Sequence, residues 1–243
     1  EDPATIAGFF VEPITGAAGG CLVASDDYWR TVTAVCKEYD IVLVADEVMT
    51  GYGRTGKVWG HQNFPIEPDV IVGGKGIGGG YVPIGMVAAH NRIADALSGT
   101  GPWMFFTFSG SDAMCAGANV VLNIMKQERL VERVNELGPV FEKKLRDAVG
   151  HHPNVIEIRG RGFFWGIEFC ERRDPVTLFP TSKKFAAAVS AEAMSRGAWI
   201  YPAGSGPVHD AVMLGPSFTL TEGEMDELVG IIKDSLEAVV ARG

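Results

Sequence analysis

Four short stretches that are apolar on almost every residue, 6–11, 41–45, 70–72 and 82–89, constrain this chain more than any other feature. A strand that alternates apolar and polar residues leaves one face to water. A strand apolar throughout needs cover on both faces, the condition met by a mostly parallel sheet with helices packed on it. The sequence between the runs supplies such helices. Ser25-Asp26-Asp27 offers N-cap oxygens, and Trp29, Val32, Val35, Cys36 and Tyr39 follow near one helical face. Residues 111–126 read as a helix, and 128–149 as another that the Gly138-Pro139 pair should bend or break.

Beyond Gln127 the grammar changes. Residues 155–158 and 163–169 read as strands around an Arg159-Gly160-Arg161-Gly162 turn, 182–196 as a helix, and 198–201 and 212–214 as short strands. Thr221 with Glu224 forms a capping box that opens a last helix carrying Met225, Leu228, Val229, Ile232, Leu236 and Val239. The pattern predicts two domains, 1–127 with the mostly parallel sheet and 128–243 as a smaller C-terminal α+β domain.

Composition excludes several classes. Formal net charge is -9, which repels nucleic acid and anionic membrane surfaces alike, so neither is an expected partner. No apolar run approaches the roughly 20 residues a spanning helix needs. The four cysteines, Cys21, Cys36, Cys115 and Cys170, form no CxxC pair, and they read as buried thiols of a reducing cytoplasm rather than as disulfides or a zinc site.

Two features carry chemistry. Asp46-Glu47 ends the 41–45 run, where open α/β sheets place their ligands. A carboxylate there is costly to desolvate without a positive partner. Lys75 stands among six glycines in Gly73-Gly74-Lys75-Gly76-Ile77-Gly78-Gly79-Gly80, directly after the 70–72 run. Gly74 to Gly79 also matches G-x-G-x-x-G, but that pattern signals dinucleotide binding only where it opens a helix, and Tyr81-Val82-Pro83-Ile84 reads as strand. Taken together, a lysine and a carboxylate suit pyridoxal 5'-phosphate, which requires an amine to anchor it and a partner for its pyridine nitrogen. If the chain stays extended past Asp46, Val48 points the same way and packs under the ring.

With these residues in place the sequence resembles the class III aminotransferases, pyridoxal-phosphate enzymes of fold type I. Asp46-Glu47-Val48-Met49-Thr50-Gly51-Tyr52-Gly53-Arg54-Thr55-Gly56 is similar to the family's DEV-x-TG-x-GRTG signature, and Phe10-Val11-Glu12-Pro13-Ile14 to its EPI segment. Pro68-Asp69-Val70 leading to Lys75, Thr107-Phe108-Ser109-Gly110, and Arg161-Gly162 through Glu168 resemble further family segments. The resemblance implies Lys75 as the Schiff-base lysine and proton carrier, Asp46 at the ring nitrogen, Val48 against one ring face, and Thr107 at the phosphate of a neighbouring subunit. A homodimer is implied with them.

Departures shape the functional expectation. Ala17 stands where ornithine- and GABA-type members often carry glutamate, which points to the ω-amine:pyruvate branch. The stretch Gly206-Pro207-Val208-His209-Asp210 lacks the arginine that many members place before the last core strand, and Ser111-Asp112 replaces a usual His-Pro. Family members also carry an N-terminal portion ahead of the EPI strand, so the expectation is a fragment or a chain completed by a second polypeptide. The activity expected is amino transfer between a primary amine or ω-amino acid and a 2-oxo acid such as pyruvate. Two other readings stand beside it: related pyridoxal-phosphate chemistry (aminomutase, racemase, decarboxylase or lyase), and a non-catalytic subunit that completes a partner's site.

Overall fold

A computed structural model describes residues 2–100, 106–206 and 208–242. In chain order the strands are β1 (Gly8–Val11), β2 (Ile14–Thr15), β3 (Leu22–Val23), β4 (Val42–Asp46), β5 (Val70–Gly73), β6 (Met86–Ala89), β7 (Val155–Arg161), β8 (Phe164–Phe169), β9 (Arg172–Arg173), β10 (Val176–Thr177), β11 (Tyr201–Ser205) and β12 (Val208–Leu214). The helices are α1 (Asp26–Glu38), α2 (Asn91–Leu97), α3 (Asp112–Gln127), α4 (Leu130–Val149), α5 (Phe185–Ser195) and α6 (Glu222–Ala241). Two compact units result. The first comprises Glu1–Pro13, Ala24–Gly53 and Lys57–Val131, and the second Ile14–Val23, Arg54–Gly56 and Glu132–Gly243.

In the first unit the sheet order is β1-β4-β5-β6. β1, β4 and β5 run parallel, and β6 returns antiparallel to β5. Leu43, Val44 and Ala45 of β4 are buried, as a doubly covered strand requires. Ser25 caps α1 by accepting from the Tyr28 N–H at 3.2 Å. Trp29 and Cys36 go inside, but Val35 and Tyr39 of the expected apolar face stay exposed. The packed stripe follows the i, i+7 pair, and Val35 lies about 100° round the helix from Cys36. Cys115, expected to be buried, is exposed as well: it sits in the first turn of α3, which packs further along through Ala118, Leu122 and Met125. The fourth apolar run also forms less strand than expected. Only Met86–Ala89 pairs with β5, because Val82 and Ile84 pack into a cluster with Tyr52, Ile77 and Ala118.

The second unit is built on an antiparallel sheet in the order β11-β12-β8-β7. Phe141 and Leu145 of α4, Val189 of α5, and Met225, Ile232 and Leu236 of α6 are buried in one cluster with Ile167 and Phe169 of β8. Each such side chain contributes roughly 1.5–3 kcal/mol by burial. The capping box at α6 forms as the sequence indicates. Thr221 N–H donates to Glu224 Oε2 at 2.7 Å, and Glu224 N–H to Thr221 Oγ1 at 3.3 Å.

α4 runs through Pro139 without the break that was one of the two expected outcomes. Gly138 faces the Gly162 backbone so closely that a Cβ there would come within 2.9 Å of the Gly162 Cα, so a glycine stands in this helix for the close approach it allows. The reversal between β7 and β8 falls at Gly162-Phe163, after the strand has continued through Arg159. Arg159 can sit inside a strand because it finds its acceptors there. Its guanidinium donates to the Gly19 and Gly20 carbonyls at 2.9 and 3.1 Å, and to Glu157 and Glu168. Among the described residues no helix is long and apolar enough to cross a membrane, and no acid, histidine and cysteine cluster could hold a metal ion.

Candidate active site

The C-terminal ends of β4 and β5 lie side by side, with Asp46 opposite Val72 in the parallel register. Asp46 is the last residue of β4, and its Oδ1 accepts from the Val48 N–H at 3.0 Å. That bond fixes the rotation of the carboxylate. It also turns the chain, so the extended continuation expected for Val48 does not occur. Val48 reaches the site by the turn instead: its methyls lie 3.5 and 3.6 Å from where a Cβ on Gly74 would stand.

Glu47 faces the other way. It is fully buried and accepts four hydrogen bonds, from Thr50 Oγ1 at 2.5 Å and from the Gly60 N–H, the His61 N–H and His61 Nδ1 at 2.7 Å each. Burial pushes its carboxyl upward, but the bonds from His61, Thr50 and Gly60 outweigh this and hold it below the usual carboxylate value. The acidic pair therefore divides its work. Glu47 ties the loop after β4 to the segment around Gly60, and Asp46 is left at the strand end.

β5 ends at Gly73, and Lys75 opens a 3₁₀ turn over Lys75–Gly78. Its φ is +40°, a left-handed conformation costly for a residue with a Cβ and characteristic of sites where geometry is imposed. The side chain is exposed, and its end lies against Met49 Sδ. The structure thus brings Asp46, Val48 and Lys75 to one end of one sheet. Tyr52 lies beneath the lysine turn. A Cβ on Gly73 would come within 2.5 Å of the Tyr52 hydroxyl oxygen, and one on Gly76 within 3.1 Å of the Tyr52 Cβ, so a side chain at 73 would force Tyr52 to move and one at 76 would crowd it. The hydroxyl is buried without a hydrogen-bond partner. Burial first, and then the Glu47 charge, push it up to about 12.

Thr107 is exposed in a turn and makes no hydrogen bond to Asp46 or Lys75 among the described residues. The 206–210 stretch also sits differently from the expectation. Val208, His209 and Asp210 are inside β12, not before it, and His209 Nε2 bonds the Phe179 carbonyl oxygen at 2.9 Å. Pro207 lies outside the described residues. Arg54 is held entirely within the second unit, donating to the Pro216 carbonyl at 2.5 Å and stacking on Phe218 at 4.4 Å, with burial lowering it to about 10. It serves packing there. Met49 and Tyr52 were not singled out by the sequence. A thioether and a phenol within an otherwise legible motif give no local signal of touching a lysine turn.

The residues present fit pyridoxal phosphate. An amine on a glycine turn, a carboxylate fixed at the adjacent strand end and valine methyls beside that turn form the donor set such a ring requires. Comparison with known proteins agrees. Residues 1–236 match the family described as Aminotransferase class-III. An uncharacterized aminotransferase of Bacillus subtilis (strain 168), YodT, is 35% identical over 239 residues, covering 96% of this chain and 54% of the relative. Gamma-aminobutyrate transaminase 1 of Oryza sativa subsp. indica is 34% identical over 247 residues, covering 100% of this chain and 46% of the relative. Among solved structures, the (S)-enantioselective omega-transaminase of Thermomicrobium roseum superposes with a TM-score of 0.90 at 34% identity, covering 98% of this chain and 52% of that one. A PMP-bound aminotransferase of Vibrio fluvialis gives 0.90 at 32%, covering 99% and 53%. The chain spans about half the length of the curated relatives it matches.

Proposed function

The chain belongs to the class III aminotransferases, and from that membership we propose that it carries the lysine half of a pyridoxal-phosphate site that moves an amino group between a primary amine or ω-amino acid and a 2-oxo acid such as pyruvate. The observation that carries the reading is the placement of Lys75, held left-handed between two glycines at the end of β5, beside Asp46 at the end of β4. Alanine at position 17 and the omega-transaminase among the relatives support the substrate class.

When bound, pyridoxal phosphate supplies an electron-withdrawing ring that stabilises negative charge at a substrate carbon. The chain's own residues do the rest. The Lys75 amine would hold the cofactor and would carry a proton to and from the substrate carbon. Exposure at the strand ends suits it to both tasks. Asp46 would hold a proton on the ring nitrogen, its carboxylate aimed by the bond from the Val48 N–H. Val48 would offer its methyls to the ring. Thr107 donates to the phosphate of a neighbouring subunit in a homodimer, and a further portion of polypeptide, such as the relatives carry, completes the site. Compartment and partners follow the same reading, as a cytoplasmic enzyme acting on small molecules.

Borohydride reduction of the cofactor-loaded enzyme tests this. Mass spectrometry of the digest should find the cofactor on the peptide that contains Lys75, and Lys75→Ala should abolish the label. A label on any other lysine refutes the assignment.

A further inference from the structure

We propose that His61 is a positioning residue for Asp46: its imidazole Nδ1–H, acting through the buried Glu47 carboxylate, holds the strand end from which Asp46 meets the cofactor. This rests on the reading of Asp46 as the partner of the ring nitrogen and goes beyond it. Glu47 follows Asp46 directly, so whatever fixes Glu47 fixes the peptide plane next to the Asp46 Cα. Glu47 is held at every polar atom. Its N–H donates to the Val72 carbonyl of β5 at 2.8 Å, and its carbonyl accepts from the Gly51 N–H at 2.9 Å. Its carboxylate takes four donors. The Asp46 carboxylate is thus aimed from two sides, by its own bond from the Val48 N–H and by the residue that follows it.

The identity of the donors matters. The Gly60 and His61 N–H groups are backbone, and Thr50 belongs to the same turn as Glu47. The imidazole is the side-chain donor brought in from outside that turn, and only 14% of its side chain is exposed. Glu47 is held below the usual carboxylate value and is therefore an acceptor, so the Nδ1 that meets Oε1 at 2.7 Å is the protonated nitrogen. A fully buried carboxylate that loses this donor keeps its charge and lacks a partner. It regains one only by shifting, and a shift passes to Asp46 through the peptide they share. Asparagine carries an amide nitrogen at the same bond separation from Cα as Nδ1, and glutamine at that of Nε2. The two substitutions therefore tell which ring nitrogen does the holding.

A double-mutant cycle separates positioning from folding. Cofactor-stripped enzyme is prepared as wild type, His61→Leu, Asp46→Ala and the double variant, with His61→Asn and His61→Gln alongside. Absorbance titration gives the cofactor dissociation constant, and urea denaturation the stability. His61→Leu should raise the dissociation constant about three- to tenfold, the scale of one lost hydrogen bond. In the Asp46→Ala background the same change should move it by less than about 1.5-fold, although urea stability falls in both. His61→Asn should return affinity to within about twofold of wild type, and His61→Gln should not. Wild-type affinity in His61→Leu overturns the proposal. So does a loss by the same factor in both backgrounds, which marks a loosened fold instead of a misaimed carboxylate, and so does equal rescue by glutamine. Where His61→Leu does not fold, His61→Gln takes its place in the cycle. The underlying reading has its own arm. Asp46→Ala without effect on the dissociation constant sinks the ring-nitrogen assignment, whereas an effect of Asp46→Ala with none of His61→Leu sinks only the role of His61.

Discussion

Replacing Glu47 by glutamine should destabilise the protein far more than an isosteric change suggests. The carboxylate is fully buried, with two donors on each oxygen: Thr50 Oγ1 and the Gly60 N–H on Oε2, the His61 N–H and Nδ1 on Oε1. Glutamine keeps one oxygen and turns an NH₂ toward the other pair. At least one backbone N–H then faces a donor and goes unpaired, at about 1–3 kcal/mol, and the remaining bonds lose their charge assistance, so the total is roughly 3–5 kcal/mol. Urea denaturation of the cofactor-free protein at pH 7 measures it directly. The pH dependence supplies a second check. Glu47 has a folded value below its ordinary carboxylate value, so its stabilisation is complete above the unfolded value near 4.3 and is lost as pH falls through the lower folded one. The gap between wild type and Glu47→Gln should therefore be full at neutral pH and shrink on acidification below about pH 4. A cost under about 1 kcal/mol at pH 7, or a gap that grows in acid, refutes the network as the source of stability.

Other substitutions probe other links in the chain. Asp46→Ala should weaken cofactor affinity by at least about tenfold in equilibrium titration, while Asp46→Glu retains part of it, since a half-buried ionic partner is worth on the order of 1.4 kcal/mol or more. Gly162→Ala should lower the melting temperature markedly, because φ is +58° and the new Cβ would stand 2.7 Å from the Thr55 carbonyl carbon. A cost of about 2 kcal/mol or more is expected by differential scanning calorimetry. Tyr52→Phe should leave urea stability unchanged or raise it by up to about 1 kcal/mol, because the hydroxyl it removes is buried and unpartnered. A loss beyond 1 kcal/mol would reveal a bond to that hydroxyl that the structure does not contain.

What could be read from the sequence follows from how local each signal is. The apolar run ending at Asp46 and the glycine cluster around Lys75 each declare a strand end, and parallel pairing then brings them together. Val48 comes beside the lysine turn by a different route from the one expected, since period-two alternation stops where the Asp46 side chain captures the next turn. The role of Gly138 could not be read locally, because its partner Gly162 lies far along the chain. β6 was overdrawn because apolar residues say that a segment is buried, not whether backbone or side chain does the pairing, and Val82 and Ile84 turned out to belong to a core cluster. The contact between Met49 and Lys75 was invisible, because it depends on a backbone angle that composition does not encode.

The lysine loop leaves the sheet at Gly73 and re-enters at Met86, and these two residues are direct partners across β5 and β6. Residues 74–85 are thus a closed ring, clasped at that pair and pinned a second time where Ile77, Val82 and Ile84 pack with Tyr52 and Ala118. A ring pinned at two places cannot slide along the sheet edge without breaking a fastening, so Lys75 is kept at a nearly constant height above the strand ends.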